Sequence, residues 1–193
     1  MRISRILLDR GIPVLFSYYR FNTRDPIPRD SHPLLFQSPI DRTLEHMHTI
    51  CRADVGQKRR LLVVAFPDPS AVEFIHAFNL AGWHTIYDCR DEWEEFAKVG
   101  MARWFSSQVE TYVVANVDRT YCISPPLVRK MQGKLALSQR NAAQPEDATS
   151  TPTDSVAKAA ALSSRRVELC PNAFDRAFLR QPPPHARSPD SGV

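Results

Sequence analysis

Five carboxylates crowd into residues 88–95, in the run Tyr87-Asp88-Cys89-Arg90-Asp91-Glu92-Trp93-Glu94-Glu95-Phe96. Negative charges this close repel one another, so one of them can hold a proton longer than an isolated acid does. That is the property a general acid or base needs. The residues before them, Thr85-Ile86-Tyr87, are β-branched or aromatic and read as a short buried strand. In open α/β sheets the carboxyl ends of strands line the ligand crevice, which turns Asp88 and Asp91 toward a cleft. The same letters also fit an exposed acidic helix start. Asp91 or Glu92 in a first helical turn is favoured by the positive end of the helix dipole. Glu92, Glu94 and Glu95 then form a solvated face while Trp93 and Phe96 pack inward at i, i+3.

The elements that must position these residues alternate between helix and strand. Residues 2–10 fit a helix, with Ile3, Ile6 and Leu7, extended by Leu8, as its apolar stripe and Gly11 as its stop. Pro13 to Tyr19 reads as a strand, and a polar, proline-punctuated loop follows through Ser31-His32-Pro33. Residues 41–52 read as helix. Arg60 to Phe66 is a continuous apolar run, the pattern of a strand buried on both faces. It ends at Pro67-Asp68-Pro69-Ser70, where Ser70-Ala71-Val72-Glu73 has capping-box spacing. The helix behind it carries Phe74, Phe78 and Ala81 and stops at Gly82. Met101 to Val117 predicts a longer helix, with Phe105, Val109, Val113 and Val117 at i, i+4 steps. Arg119 to Ile123 predicts a strand closed by Ser124-Pro125-Pro126, with Pro126 in the first turn of a helix carrying Leu127, Val128 and Met131. Arg166 to Cys170 is the last strand. This alternation predicts an α/β fold, a Rossmann-like parallel sheet with helices on both faces.

Composition narrows the function classes. The chain's 193 residues, 43% hydrophobic and 24% charged, fit one soluble globular domain with room for unstructured segments. No apolar run reaches bilayer-crossing length, and Met1 to Leu8 lacks the apolar stretch and cleavage site of a secretory leader. The four cysteines, at 51, 89, 122 and 170, make no Cys-x-x-Cys pair. Cys89, Cys122 and Cys170 sit in or beside apolar runs and read as small buried hydrophobes. His46 and His48 fall on different sides of a helix, which argues against a ligand set with Cys51. Neither metal nor cofactor is expected, and reduced thiols point to a cytoplasmic location.

The formal charge of +4 and pI near 9.0 are mildly basic. Arg2, Arg5, Arg10, Arg20, Arg24 and Arg29 concentrate that charge near the N-terminus. Peripheral contact with an anionic inner membrane face fits it, as do plain solvated arginines. No nucleic-acid motif accompanies the charge. Residues 132–164 are rich in Ala, Ser, Thr and Gln and predict a disordered insert; the proline-rich residues 181–193 predict a disordered tail.

The order of several weak motifs carries a resemblance. Tyr87-Asp88-x-x-Asp91 precedes Glu110 in a long helix; Asp118-Arg119-Thr120 and Tyr121-Cys122-Ile123-Ser124 follow, with Ser124 three residues before Leu127. Pro171-Asn172-Ala173-x-Asp175 comes last. From the first helix to Leu179 this resembles the N-terminal half of a GT-B glycosyltransferase, and is most similar to glycosyltransferase family 4. Ala173 stands where that family usually has glycine. The resemblance implies a domain over 1–131 that lacks its first strand, a last strand and linker start over 165–180, and an acceptor that is a saccharide or lipid-linked sugar. It implies Asp91, then Asp88, as catalytic base, Pro67, Ser70 and Ser124 at the acceptor-side cleft, and Asn172 and Asp175 at the interdomain linker. A second domain would bind the nucleotide-sugar donor. No Glu-x7-Glu donor motif and no Asp-x-Asp motif occurs in the sequence, and a truncated acceptor-domain fragment, inactive alone, is therefore expected. A stand-alone α/β binding module pairing with a separate donor-domain chain is the alternative. A nucleotide enzyme of another family is disfavoured, since no Gly-x-Gly-x-x-Gly or P-loop is present.

Overall fold

Backbone amides and carbonyls are costly to leave unpaired in a protein interior, so short apolar runs must find partner strands. In the structure, a computed structural model that describes residues 2–19, 31–52, 60–143 and 165–171, they do so in parallel. The strands are β1 (Val14–Tyr18), β2 (Leu35–Pro39), β3 (Leu61–Val64), β4 (His84–Cys89), β5 (Arg119–Cys122) and β6 (Arg166–Leu169). The helices are α1 (Arg2–Asp9), α2 (Ile40–Glu45), α3 (Met47–Arg52), α4 (Pro69–Leu80), α5 (Trp93–Lys98), α6 (Ser107–Asn116) and α7 (Pro125–Ala143). The protein is a Rossmann-like parallel α/β structure. Its strands belong to two sheets, β1-β2 and β3-β4-β5-β6, where one was expected. The chain divides into two compact units, Met1–Leu62 with Pro69–Thr85, and Val63–Asp68 with Ile86–Val193.

In the first unit β1 runs parallel to β2 from Val14 opposite Leu35 to Tyr18 opposite Pro39. No element was expected between Pro33 and residue 41; the open edge of β1 recruits Leu35–Pro39 as a strand. The helix expected over 41–52 breaks at His46, whose φ of −104° and ψ of 5° interrupt the spiral between α2 and α3. Met47, Cys51, Phe74, Ala77 and Phe78 form the core, with Trp83 packed against it. The Trp83 indole donates a 2.8 Å hydrogen bond to the Cys51 carbonyl. In α1 the expected stripe is only partly used: Leu7 and Leu8 are half-buried, while Ile6 is 53% exposed. Helix α4 begins at Pro69, where a missing N–H costs nothing, so Ser70 lies inside the helix and not at the expected capping-box position. It ends as expected at Gly82, whose φ of 75° allows Trp83 N–H to reach back to the Phe78 carbonyl at 3.0 Å.

In the second unit β4 pairs with β5 and β5 with β6, all parallel. Burial along β4 alternates, with Tyr87 and Cys89 inward and Ile86 and Asp88 on the other face. Strand β3 is an edge strand of its sheet and Leu61 is 41% exposed, so the expected burial on both faces does not occur. Helix α6 starts at Ser107, six residues after the expected Met101, because Ser106 caps it by accepting from the Val109 amide at 3.4 Å.

Helix α7 departs most from expectation. It continues to Ala143, through the first third of the segment expected to be disordered. Leu127, Met131 and Leu135 are all buried at i, i+4 spacing, and that stripe holds a segment rich in the helix formers Lys134, Leu135, Ala136, Leu137, Gln139 and Arg140 against its neighbours. Residues 144–164 and 181–193, also expected to be disordered, lie outside the described residues, as does the linker after Pro171. Among the described residues no helix is long and apolar enough to cross a membrane.

Leu135→Ala is expected to destabilise the chain by about 2–4 kcal/mol, as buried leucine truncations do. Leu137→Ala, at a side chain 53% exposed, is expected to change stability by less than about 0.5 kcal/mol. Urea midpoints of the two variants check this; equal midpoints would return α7 beyond Met131 to an unpacked segment.

Candidate functional site

Asp88 lies within β4, opposite Tyr121 of β5, not at the strand-to-helix junction where the sequence suggested it. Its side chain is 13% exposed. Arg90 Nε and Nη2 both donate to Asp88 Oδ2, at 2.6 and 2.5 Å. This pairing holds the guanidinium above its usual pKa, against the opposing effect of burial, and the Asp91 charge adds to it. Asp91 comes two residues after the strand ends and is partly exposed. Among the described residues it has no hydrogen-bond or ion-pair partner. The two acids therefore differ in kind: Asp88 is a neutralised anchor, and Asp91 is the carboxylate with lone pairs to offer.

The glutamates behind them are not a plain solvated face. Lys130 of α7 bonds Glu92 Oε1 at 2.9 Å and Glu94 Oε2 at 2.8 Å. The hydrogen bond and charge of Lys130 lower the Glu94 pKa. Burial pulls the Lys130 ammonium down, but its bonds to Glu94 and Glu92 outweigh that and leave its pKa raised. Glu95 is exposed and pairs with Lys98 at 2.6 Å.

An aromatic cluster includes Trp93, which lies among these acids in the chain. Phe66, after β3, lies with its ring 5.1 Å from Trp93 and 6.1 Å from Trp104, and the two indoles are 5.2 Å apart. Phe96 packs edge-on against Trp93 at 5.6 Å, so the expected inward pair of α5 forms. Phe66 remains 44% exposed and Trp104 38%. Phe66 follows the carboxyl end of β3 and Trp93 follows that of β4, as does Asp91. Sequence reasoning missed this cluster. Its members are far apart in the chain, and Trp104 fell inside a helix expected to start at Met101.

The other expected cleft residues divide. Pro67 is fully buried and offers no surface. Ser124 is partly buried after β5, and its carbonyl accepts from the Val128 amide at 3.1 Å, starting α7. Ser70 belongs to the first unit, where its hydroxyl lies 3.2 Å from that of Tyr19. Asn172 and Asp175 lie outside the described residues.

Beneath the site is a buried polar lock. Glu110, 1% exposed, accepts from the Tyr87 hydroxyl at 3.0 Å. Lys134 Nζ is 3.3 Å from Glu110 Oε2, close enough for charge attraction, though its hydrogen bond goes to Ser107 Oγ at 2.7 Å and leaves Oε2 without a donor. Burial, with the charges of Cys89 and Glu110, pushes the Tyr87 phenol far up, so it stays a donor. Cys89 and Cys122 face each other across β4 and β5, both buried. Hydrogen bonding to Cys122 and burial push the Cys89 thiol up, which keeps it neutral and unreactive. Cys170 is exposed, contrary to the buried role expected for it. Among the described residues no group of three or more His, Cys, Asp or Glu could hold a metal ion.

The lowered Glu94 pKa has a sign that can be measured. Its pairing contributes stability above the ordinary glutamate pKa, which is lost as pH falls through the folded value. Lys130→Met is expected to lower stability at pH 7 by up to about 1 kcal/mol, the range for partly exposed pairs. The gap between wild type and variant closes below about pH 4, where glutamates protonate. Urea melts across that range check it; a gap that persists in acid would make Lys130 a packing residue.

No family model, no curated protein and no solved structure matches the chain.

Proposed function

We propose that the chain is the acceptor-side domain of a glycosyltransferase, transferring a sugar from a nucleotide-sugar to a saccharide or lipid-linked acceptor in polysaccharide or glycoconjugate synthesis. The observation that carries this reading is the partly exposed cluster of Phe66, Trp93 and Trp104, whose Trp93 follows Arg90 and Asp91 in the chain after β4. A sugar ring has C–H faces that favour aromatic surfaces and rim hydroxyls that need strong acceptors and donors. A partly exposed ring cluster, with a paired and an unpaired carboxylate close before Trp93 in the chain, offers both.

In an inverting transfer the acceptor hydroxyl forms a C–O bond to the anomeric carbon as the bond to the nucleotide phosphate breaks, and the hydroxyl proton passes to a carboxylate. Asp91 is assigned that role because it has no partner to surrender. Asp88, clamped by Arg90, orients. The sugar nucleotide is assigned to a second domain or chain, since this sequence has no glycine-rich phosphate cradle.

Titration of the full chain with an oligosaccharide panel, read by tryptophan fluorescence and calorimetry, tests the reading. At least one saccharide is expected to saturate, and Phe66→Ala and Trp104→Ala are each expected to weaken it about tenfold, equivalent to about 1.4 kcal/mol. Asp91→Asn is expected to leave binding nearly unchanged. A panel without saturation, or truncated aromatics that bind as wild type, would remove the saccharide site; saturable binding of a free nucleotide would favour a nucleotide enzyme instead.

A further inference from the structure

We propose that Cys89 and Cys122 are a peroxide-responsive dithiol, a redox switch whose disulfide ties the carboxyl ends of β4 and β5 together and moves Arg90 and Asp91. This goes beyond the saccharide reading and does not rest on it. Cys89 is the last residue of β4 and Cys122 the last of β5, and the two are direct register partners. Neighbouring strands lie about 4.8 Å apart, inside the roughly 4.4–6.8 Å between Cα atoms that a disulfide spans. Burial alternates along both strands, with Tyr87 and Cys89 inward on β4 and Thr120 and Cys122 inward on β5. The two thiols therefore share one face. Both are fully buried, and the Cys89 thiol hydrogen-bonds with Cys122 and with Tyr87. The other two cysteines are placed differently. Cys51 belongs to the first unit, where its thiol donates to the His48 carbonyl at 3.4 Å. Cys170 is exposed, and the register partner of Cys122 on β6 is Leu169.

The hydrogen bond between the thiols divides their roles. It raises the Cys89 pKa and lowers that of Cys122, on which burial has the opposing effect. Cys122 is thus the better source of thiolate, the nucleophilic form, and Cys89 is the resolving thiol. The Cys122 sulfur attacks one oxygen of hydrogen peroxide as the O–O bond breaks. A sulfenic acid forms, and the thiol proton leaves with the other oxygen as water. The Cys89 sulfur then attacks the Cys122 sulfur. The S–S bond forms as the S–O bond breaks, and the departing hydroxide takes the Cys89 proton as a second water. Two thiols lose two electrons, and the peroxide gains them. Strand ends open at lower cost than strand centres, which gives so small an oxidant its route to thiols that are closed at rest. Arg90 and Asp91 follow Cys89 directly. Drawing the two sulfurs together displaces the guanidinium that clamps Asp88 and the unpaired carboxylate after it.

Peroxide treatment of the full-length Cys170→Ser variant, which lacks the exposed thiol, tests the proposal. After quenching and alkylation in denaturant, mass spectrometry is expected to show the loss of two hydrogen atoms and a peptide pair joined through Cys89 and Cys122. Tryptophan emission is expected to change in step with that linkage and to return with dithiothreitol. Adding Cys122→Ala is expected to abolish both changes and leave Cys89 open to alkylation. Adding Cys89→Ala instead is expected to stop the oxidation at a Cys122 sulfenic acid that dimedone traps. Full alkylation of Cys89 and Cys122 after peroxide, a linkage through Cys51, or emission unmoved by the linkage would each overturn the proposal.

Discussion

The second unit depends on the burial of one carboxylate. Glu110 is 1% exposed in the first turn of α6, and a charge taken so far out of water must be compensated. Tyr87 of β4 compensates one oxygen by a hydrogen bond and Lys134 of α7 the other by proximity. A strand and two helices are therefore tied at a single point. Since side chains alternate along β4, fixing Tyr87 inward fixes Asp88 on the opposite face. Loss of either partner would leave a buried charge half-satisfied, a larger penalty than removing the whole group.

Helix α7 extends that constraint to the surface. Lys130 and Lys134 are one turn apart on the same helix, so they share a face. Lys134 serves the buried glutamate, and Lys130 serves Glu92 and Glu94 at the start of α5. Helix α5 has only six residues, and no side chain caps its start. A helix that short has little stability of its own. It is held by Lys130, by the Trp93–Phe96 ring contact and by the turn at Gly100. The position of Trp93 thus follows from α7.

How much of this the sequence disclosed depends on whether the cause was local. The parallel α/β class, the strands at Pro13–Tyr19, Thr85–Tyr87 and Arg119–Ile123, and the stop at Gly82 follow from short-range patterns, and all appear. Strand β2 and the second half of α7 do not, because each exists through a distant partner. Leu35-Phe36 is a strand because β1 offers an edge, and residues 132–143 are helical because Leu135 continues a buried stripe. At the site, composition marked Asp88 and Asp91 together but could not separate them; the separation comes from where Arg90 points. Phe66 and Trp104 left no trace in the sequence, since rings that meet only in space share no spacing.

The division between Asp88 and Asp91 shows why a carboxylate cluster is an unreliable sign of chemistry until its partners are counted. Of the five acids in residues 88–95, Asp88 is bound to Arg90, Glu92 and Glu94 to Lys130, and Glu95 to Lys98. Repulsion within the cluster is thereby cancelled almost everywhere, and most of the cluster becomes scaffold. Asp91 alone among them, within the described residues, has no hydrogen-bond or ion-pair partner. Pairing most members leaves the unpaired charge on one residue, just past the end of β4, rather than across a diffuse acidic face.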